Sequence, residues 1–213
     1  MYQYILFDLD GTLTDPEIGI TNCVMYALEK FGIQVEDRKE LHPFIGPPIQ
    51  YSFQEFYGFS EEDSKQAVAY FRERFAVKGL YENQLFDGIE ELLKDLKAKG
   101  KKIILATCKL EEYGIAILKY FKIYEYFDFV AGSTIDGGRK EKEEVIAYAL
   151  EMNQIQDKTN VIMVGDTKYD IIGANKNEID SIGVLFGYGD YQELKETGAT
   201  YIVDTIADIL KYV

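Results

Sequence analysis

The chain is short of positive charge and of the residue types that build special-purpose sites. Its 213 residues carry 23 lysines and arginines against 37 aspartates and glutamates, a formal charge of -14. Nucleic acid polymers and anionic membranes are held through basic patches that release counterions, so this balance argues against both as partners. It also removes diffuse attraction for phosphate esters, and an anionic substrate would need a metal and a few placed cations. There are two cysteines, Cys23 and Cys108, far apart and without metal-ligand spacing. Such usage fits a reduced, cytoplasmic protein with two ordinary thiols. The single histidine, His42, is expected to hydrogen-bond within a loop rather than to catalyse. No apolar run is long enough to span a bilayer, and Asp8 interrupts the N-terminal candidate. The expectation is a soluble, cytoplasmic monomer or homodimer.

The most informative stretch is residues 4–12, Tyr-Ile-Leu-Phe-Asp-Leu-Asp-Gly-Thr. An apolar run with aromatic and β-branched residues reads as a strand covered on both faces, the habit of a central parallel strand. It ends in two carboxylates. With side chains alternating at period two, Asp8 and Asp10 leave on the same side, about 6.6 Å apart if the strand stays extended. Acids that close repel each other unless a cation sits between them or one takes a proton. Gly11 lets the backbone turn, and the Thr12 amide and hydroxyl become donors near the acids.

The remaining pattern has two parts. Asp15 and Pro16 form an acidic N-cap and first helical position, and Ile20, Val24, Ala27, Leu28 and Phe31 mark one helix face. The segment 41–48 is not regular helix. Pro47 and Pro48 open a second helix, and Ser60 with Asp63 caps a third whose face is Val68, Phe71 and Phe75. From Gly88 onward, helices alternate with strands at 101–107, 128–132, 160–164, 181–185 and 200–203. That rhythm predicts an α/β fold, a doubly wound parallel sheet with helices on both faces. The division is a core of 1–15 with 81–213, and an all-helical insert at 16–80.

In a parallel sheet the polar strand ends share one edge, where ligands bind. Those ends are Asp8–Thr12, Thr107-Cys108-Lys109 and Gly165–Asp170. Asp8, Asp166 and Asp170 make an oxygen-only cluster suited to a hard cation such as Mg²⁺. Arg139-Lys140-Glu141-Lys142 puts cations at a helix start, against the helix dipole, which points to an active-site anion.

Taken together, Asp-Leu-Asp-Gly-Thr-Leu-Thr at 8–14, Thr107, a lysine at a helix start and Gly-Asp-Thr-Lys-Tyr-Asp at 165–170 resemble the four motifs of the haloacid dehalogenase superfamily, in the family's order. The insert resembles its helical cap. The segment 132–139, the loop 44–48 and Gly187-Tyr188-Gly189 are similar to the phosphoglycolate phosphatase and bacterial 5′-nucleotidase branch. The resemblance implies a Rossmann-like core and a Mg²⁺-dependent phosphatase of small phosphorylated metabolites, with a nucleoside 5′-monophosphate ahead of phosphoglycolate, and a sugar phosphomutase after them. Asp8 would be the nucleophile and Asp10 the general acid and base. Thr107 and Lys142 would hold the phosphoryl group, with Lys140 the fallback for the lysine. Mg²⁺ would be held by Asp8, the Asp10 backbone carbonyl, Asp166 and Asp170. Gly11, Thr12, Cys108 and Lys109 would line the phosphate site, while Phe44 and Gly46 would contact the rest of the substrate. A phospho-aspartate regulatory module is the non-enzymatic alternative, but it needs neither Asp10 nor a lid.

Overall fold

The computed structural model describes residues 2–213, which fall into two compact units, one made of the residues up to Asp15 with Leu85–Val213 and one of Pro16–Gln84. Strand β1 (Tyr4–Phe7) opens the first unit, and two short strands, β2 (Thr14–Asp15) and β3 (Gln84–Leu85), stand at the two boundaries in sequence. The larger strands follow as β4 (Lys102–Leu110), β5 (Phe129–Ser133), β6 (Val161–Gly165), β7 (Asp180–Val184) and β8 (Tyr201–Val203). They form one six-stranded sheet ordered β5-β4-β1-β6-β7-β8, and every adjacent pair in it is parallel. The α/β fold expected from the alternating pattern is the fold observed.

Central placement explains the composition of β1. Its residues pair on one side with β4 (Phe7 beside Leu105) and on the other with β6 (Phe7 beside Val164), so no edge or face meets water and Ile5, Leu6 and Phe7 are fully buried. Leu6 packs with Ile104, Met163, Val145, Ile146 and Ala174 in a core shared with helices α6 and α7. The helices of this unit, α4 (Ile89–Ala98), α5 (Glu111–Tyr120), α6 (Lys142–Met152), α7 (Lys168–Lys176), α8 (Tyr191–Glu196) and α9 (Ile206–Ile209), lie on both faces of the sheet. The chain winds outward from β1 through β4 and β5, then returns to β6 on the other flank. The carboxyl end of β1 is therefore a topological switch point, the place where open parallel sheets form ligand crevices.

The Pro16–Gln84 unit is helical: α1 (Glu17–Glu29), a 3-10 segment Arg38–Phe44, α2 (Ile49–Tyr57), α3 (Glu61–Arg74) and a widened π turn Phe75–Gly79. Ser60 caps α3 by accepting from the Asp63 amide, as its sequence signature predicts. Of the expected face, Phe71 and Phe75 are buried, whereas Val68 is only half-buried and Ser64 and Ala67 are buried instead. The cap residue of α1 is Pro16, which offers no side-chain bond, and the Asp15 carboxylate accepts from the Tyr188 hydroxyl.

Candidate active site

Four carboxylates and two lysines converge at the switch point. Asp8 follows Leu6 by two positions and shares its side of the sheet, the side covered by α6 and α7. Lys142, the first residue of α6, places Nζ 2.8 Å from Asp8 Oδ1 and 2.7 Å from Asp170 Oδ1, and donates to the Ala106 carbonyl at 3.0 Å. The Lys142 ammonium is 3 % exposed. Burial pushes its pKa down, but Asp170 and Asp8 outweigh burial and hold it above the ordinary lysine value. A charged lysine is tolerated at the start of α6 because Glu141 and Glu144 close a capping box there, answering the dipole that Lys142 opposes. Lys140 is exposed, and its backbone amide and charge both serve Glu144.

The second acid has its own cation. Lys109 Nζ lies 2.7 Å from Asp10 Oδ2, with both side chains about nine-tenths buried. Burial raises the Asp10 pKa and Lys109 opposes that rise, leaving it above the ordinary aspartate value. This placement comes from β4, which runs three residues past the expected end at 107. Its pairing with β5 breaks between Ala106 and Leu110, so Thr107, Cys108 and Lys109 sit on an irregular stretch that re-aims side chains at the sheet edge. Thr107 is buried, and its hydroxyl accepts from the Lys109 amide at 3.2 Å. Cys108 lies beside it with a thiol pushed up to about 12, chiefly by burial.

Asp166 is fully buried and held on both oxygens. Thr12 Oγ1 donates to Oδ1 at 3.2 Å and the Tyr188 amide donates to Oδ2 at 2.8 Å. The Thr12 hydroxyl is thus the donor near the acids that its position predicts, while its amide bonds Leu9 O at 3.3 Å. Gly11, at φ +81°, is irreplaceable on two counts: the backbone is left-handed, and a Cβ there would stand 2.1 Å from Asp166 Oδ2. Asp170 caps α7 through Thr167, whose amide and hydroxyl reach Asp170 Oδ2 at 3.1 and 3.0 Å.

These acids fit a hard divalent cation. One oxygen each of Asp8, Asp166 and Asp170 falls within 4.8 Å of the others. Burial first, then Asp170 and Asp8, push the Asp166 carboxyl well above the usual carboxylate range, which states the same repulsion in terms of protons. Asp8 Oδ1, Asp10 Oδ1 and Asp170 Oδ1 are buried with no hydrogen bond, the first and last touching Lys142 only at ion-pair distance. Even with Asp10 protonated, the three remaining carboxylates outnumber the two ammoniums, and oxygen-only donors suit Mg²⁺.

The two remaining candidates lie in the helical unit. Gly46 turns the chain at φ +106°. Phe44 is 1 % exposed, and its ring packs on Phe53, Phe56 and Tyr57 at centroid distances of 5.1, 5.5 and 5.9 Å. The ring belongs to the aromatic core of its own unit, so it offers no free face for the substrate contact expected of Phe44. His42, expected to bond within a loop, instead joins the 3-10 segment to α1, its Nε2 lying 2.8 Å from Glu17 Oε1. Local sequence pattern gives neither Tyr188 nor Asp15 a role in the site, although a Gly-x-Gly turn just past the carboxyl end of a parallel strand is the signal that could have found the first.

Comparison with known proteins agrees with this geometry. A 5′-nucleotidase from Pseudomonas aeruginosa is 42 % identical over 206 residues, covering 97 % of this chain and 93 % of that protein. Tyrosine-protein kinase PtkA from Mycobacterium tuberculosis is 35 % identical over 201 residues, covering 94 % of this chain and 68 % of the kinase. A crystal structure described as a predicted phosphatase from Clostridium acetobutylicum superposes with a TM-score of 0.96 at 49 % identity, covering 99 % of this chain and 97 % of that one. The family of haloacid dehalogenase-like hydrolases matches residues 5–184, and the chain belongs to that family.

Proposed function

We propose that the protein is a Mg²⁺-dependent phosphatase that hydrolyses a small phosphomonoester, a nucleoside 5′-monophosphate before others, through a phosphorylated Asp8. The observation that carries this reading is the sorting of the two β1 acids onto different lysines. Asp8 faces Lys142 and the carboxylates Asp166 and Asp170, while Asp10 faces Lys109.

In this reading the Asp8 carboxylate attacks phosphorus, and the bond to the leaving alcohol breaks as the aspartyl phosphate forms. Asp10 gives its proton to that alcohol and takes one back from the water that then cleaves the acyl phosphate. Its raised pKa favours the protonated form this step starts from. Lys142, already charged and fixed by Ala106 O, holds a phosphoryl oxygen together with the Thr107 hydroxyl. Asp8, Asp166, Asp170 and the Asp10 carbonyl would hold Mg²⁺, which when bound neutralises charge on the phosphoryl oxygens and on the clustered acids. The helical unit is read as the cap that governs substrate choice.

The nucleotide preference rests on the likeness to the P. aeruginosa 5′-nucleotidase. Likeness to PtkA favours a second reading, in which the phosphoryl group passes to a hydroxyl instead of water. A panel of nucleoside 5′-monophosphates, phosphoglycolate and sugar phosphates, assayed for free phosphate with Mg²⁺ and with chelator, separates these. Phosphate release from nucleotides that chelator abolishes supports the reading. Absence of release from every member with Mg²⁺ present would sink it.

A further inference from the structure

The Gly187-Tyr188-Gly189 turn follows β7 and has no part in the chemistry above, yet it is built around Asp166. The Tyr188 amide donates to Asp166 Oδ2 at 2.8 Å. A Cβ on Gly187 would stand 2.3 Å from Gly11 O and 2.5 Å from Asp166 Oδ2, and one on Gly189 would stand 1.9 Å from Asp166 O. Both glycines are therefore demanded by close backbone approach rather than by turn geometry, since neither has a left-handed φ. From this turn the Tyr188 phenol reaches the far side of the site and donates to the Asp15 carboxylate. Asp15 lies three residues past Thr12, whose hydroxyl donates to the other oxygen of Asp166. Between them, the Gly11 amide bonds Thr14 O at 2.7 Å, and the Leu13 and Thr14 amides both bond Leu9 O.

These contacts close a ring: Asp166, the Tyr188 backbone, the Tyr188 phenol, Asp15, the folded 9–14 turn, Thr12 and Asp166 again. We infer that Tyr188 is a positioning residue whose hydroxyl, bonded to Asp15, braces the turn after β7 against the turn after β1 and so fixes the Asp166 carboxylate relative to Asp8 for Mg²⁺ binding. Partners that orient a ligating carboxylate govern how well it binds metal, because an unbraced ligand must be ordered at the moment of binding. The phenol acts at one remove, through the amide of its own residue and through Asp15. This inference rests on the proposed Mg²⁺ site.

Calorimetric titration of Mg²⁺ into the metal-stripped full chain tests it without relying on turnover. Tyr188→Phe keeps the ring and the amide and removes only the hydroxyl. It is expected to weaken Mg²⁺ about tenfold with little change in Tm. Asp15→Ala is expected to give a similar loss, and the double variant no further loss, because both delete the same bond. A Tyr188→Phe protein that binds Mg²⁺ as wild type does, or single losses that add in the double variant, overturns the brace. A lowered Tm with unchanged Mg²⁺ affinity also overturns it, by making the bond merely structural. A wild type that binds no Mg²⁺ removes the metal site itself, which is a different failure.

Discussion

Lys109 Nζ sits 2.7 Å from Asp10 Oδ2 in a pair about nine-tenths buried, while Asp8, two residues earlier, is paired with Lys142. Two adjacent acids that would repel in one field are thus given separate cations from separate elements, β4 and α6. Removing one partner of a buried pair leaves an uncompensated charge. Lys109→Met is expected to destabilise the protein by about 3 kcal/mol at pH 7, measured by urea unfolding. Adding Asp10→Asn to it should recover part of the loss, whereas additive losses would mean the pair does not act as one.

Asp10→Asn alone keeps the shape of the side chain and removes its ionisable carboxyl. General acid–base groups contribute about 10²- to 10⁴-fold, so kcat should fall by that order while Mg²⁺ affinity by calorimetry is retained. A variant with wild-type kcat would transfer the proton role to another group.

The glycines near Asp166 and those in open turns should respond differently. Gly189→Ala forces a Cβ to 1.9 Å from the Asp166 carbonyl and is expected to cost about 1–3 kcal/mol and most of the turnover. Gly100→Ala, at φ +74° with open space around it, costs about 1 kcal/mol of backbone strain and leaves turnover intact. Equal effects on turnover would contradict the close-packing account of the Asp166 cradle.

Much of this architecture is legible in the amino-acid sequence. Strand β1, the alternation after Gly88 and the three polar strand ends follow from hydrophobic period and strand polarity, both local in sequence, whereas the choice of Lys142 over Lys140 rests on the family resemblance. What is not legible depends on contacts between distant segments. The extension of β4 through Lys109 is set by pairing of Leu110 with Ser133, and which way Phe44 faces is decided by its partners Phe53, Phe56 and Tyr57 on another helix. Nothing near Asp15 in the chain reveals that Tyr188, 173 residues away, donates to its carboxylate.

In the helical unit, Arg74 forks onto Glu82, Nη1 to Oε2 at 2.7 Å and Nη2 to Oε1 at 2.9 Å. The hydrogen bond from Arg74 holds the Glu82 carboxyl below its ordinary value of 4.5. A carboxylate depressed in the folded state adds stability above its unfolded pKa and loses it as pH falls through the folded one. Arg74→Met should therefore cost about 2 kcal/mol at pH 7, and the gap to wild type should close as the pH falls below about 4. Urea unfolding at the two pH values checks this, and a gap independent of pH would contradict it.

The central claim is that Asp8 is the nucleophile of a phosphomonoester hydrolase. It is tested most directly by phosphate release from a nucleoside 5′-monophosphate with Mg²⁺, comparing wild type with Asp8→Asn at matched secondary structure by circular dichroism. The account predicts steady turnover by the wild type and none by Asp8→Asn. Appreciable turnover by the folded Asp8→Asn protein would contradict it.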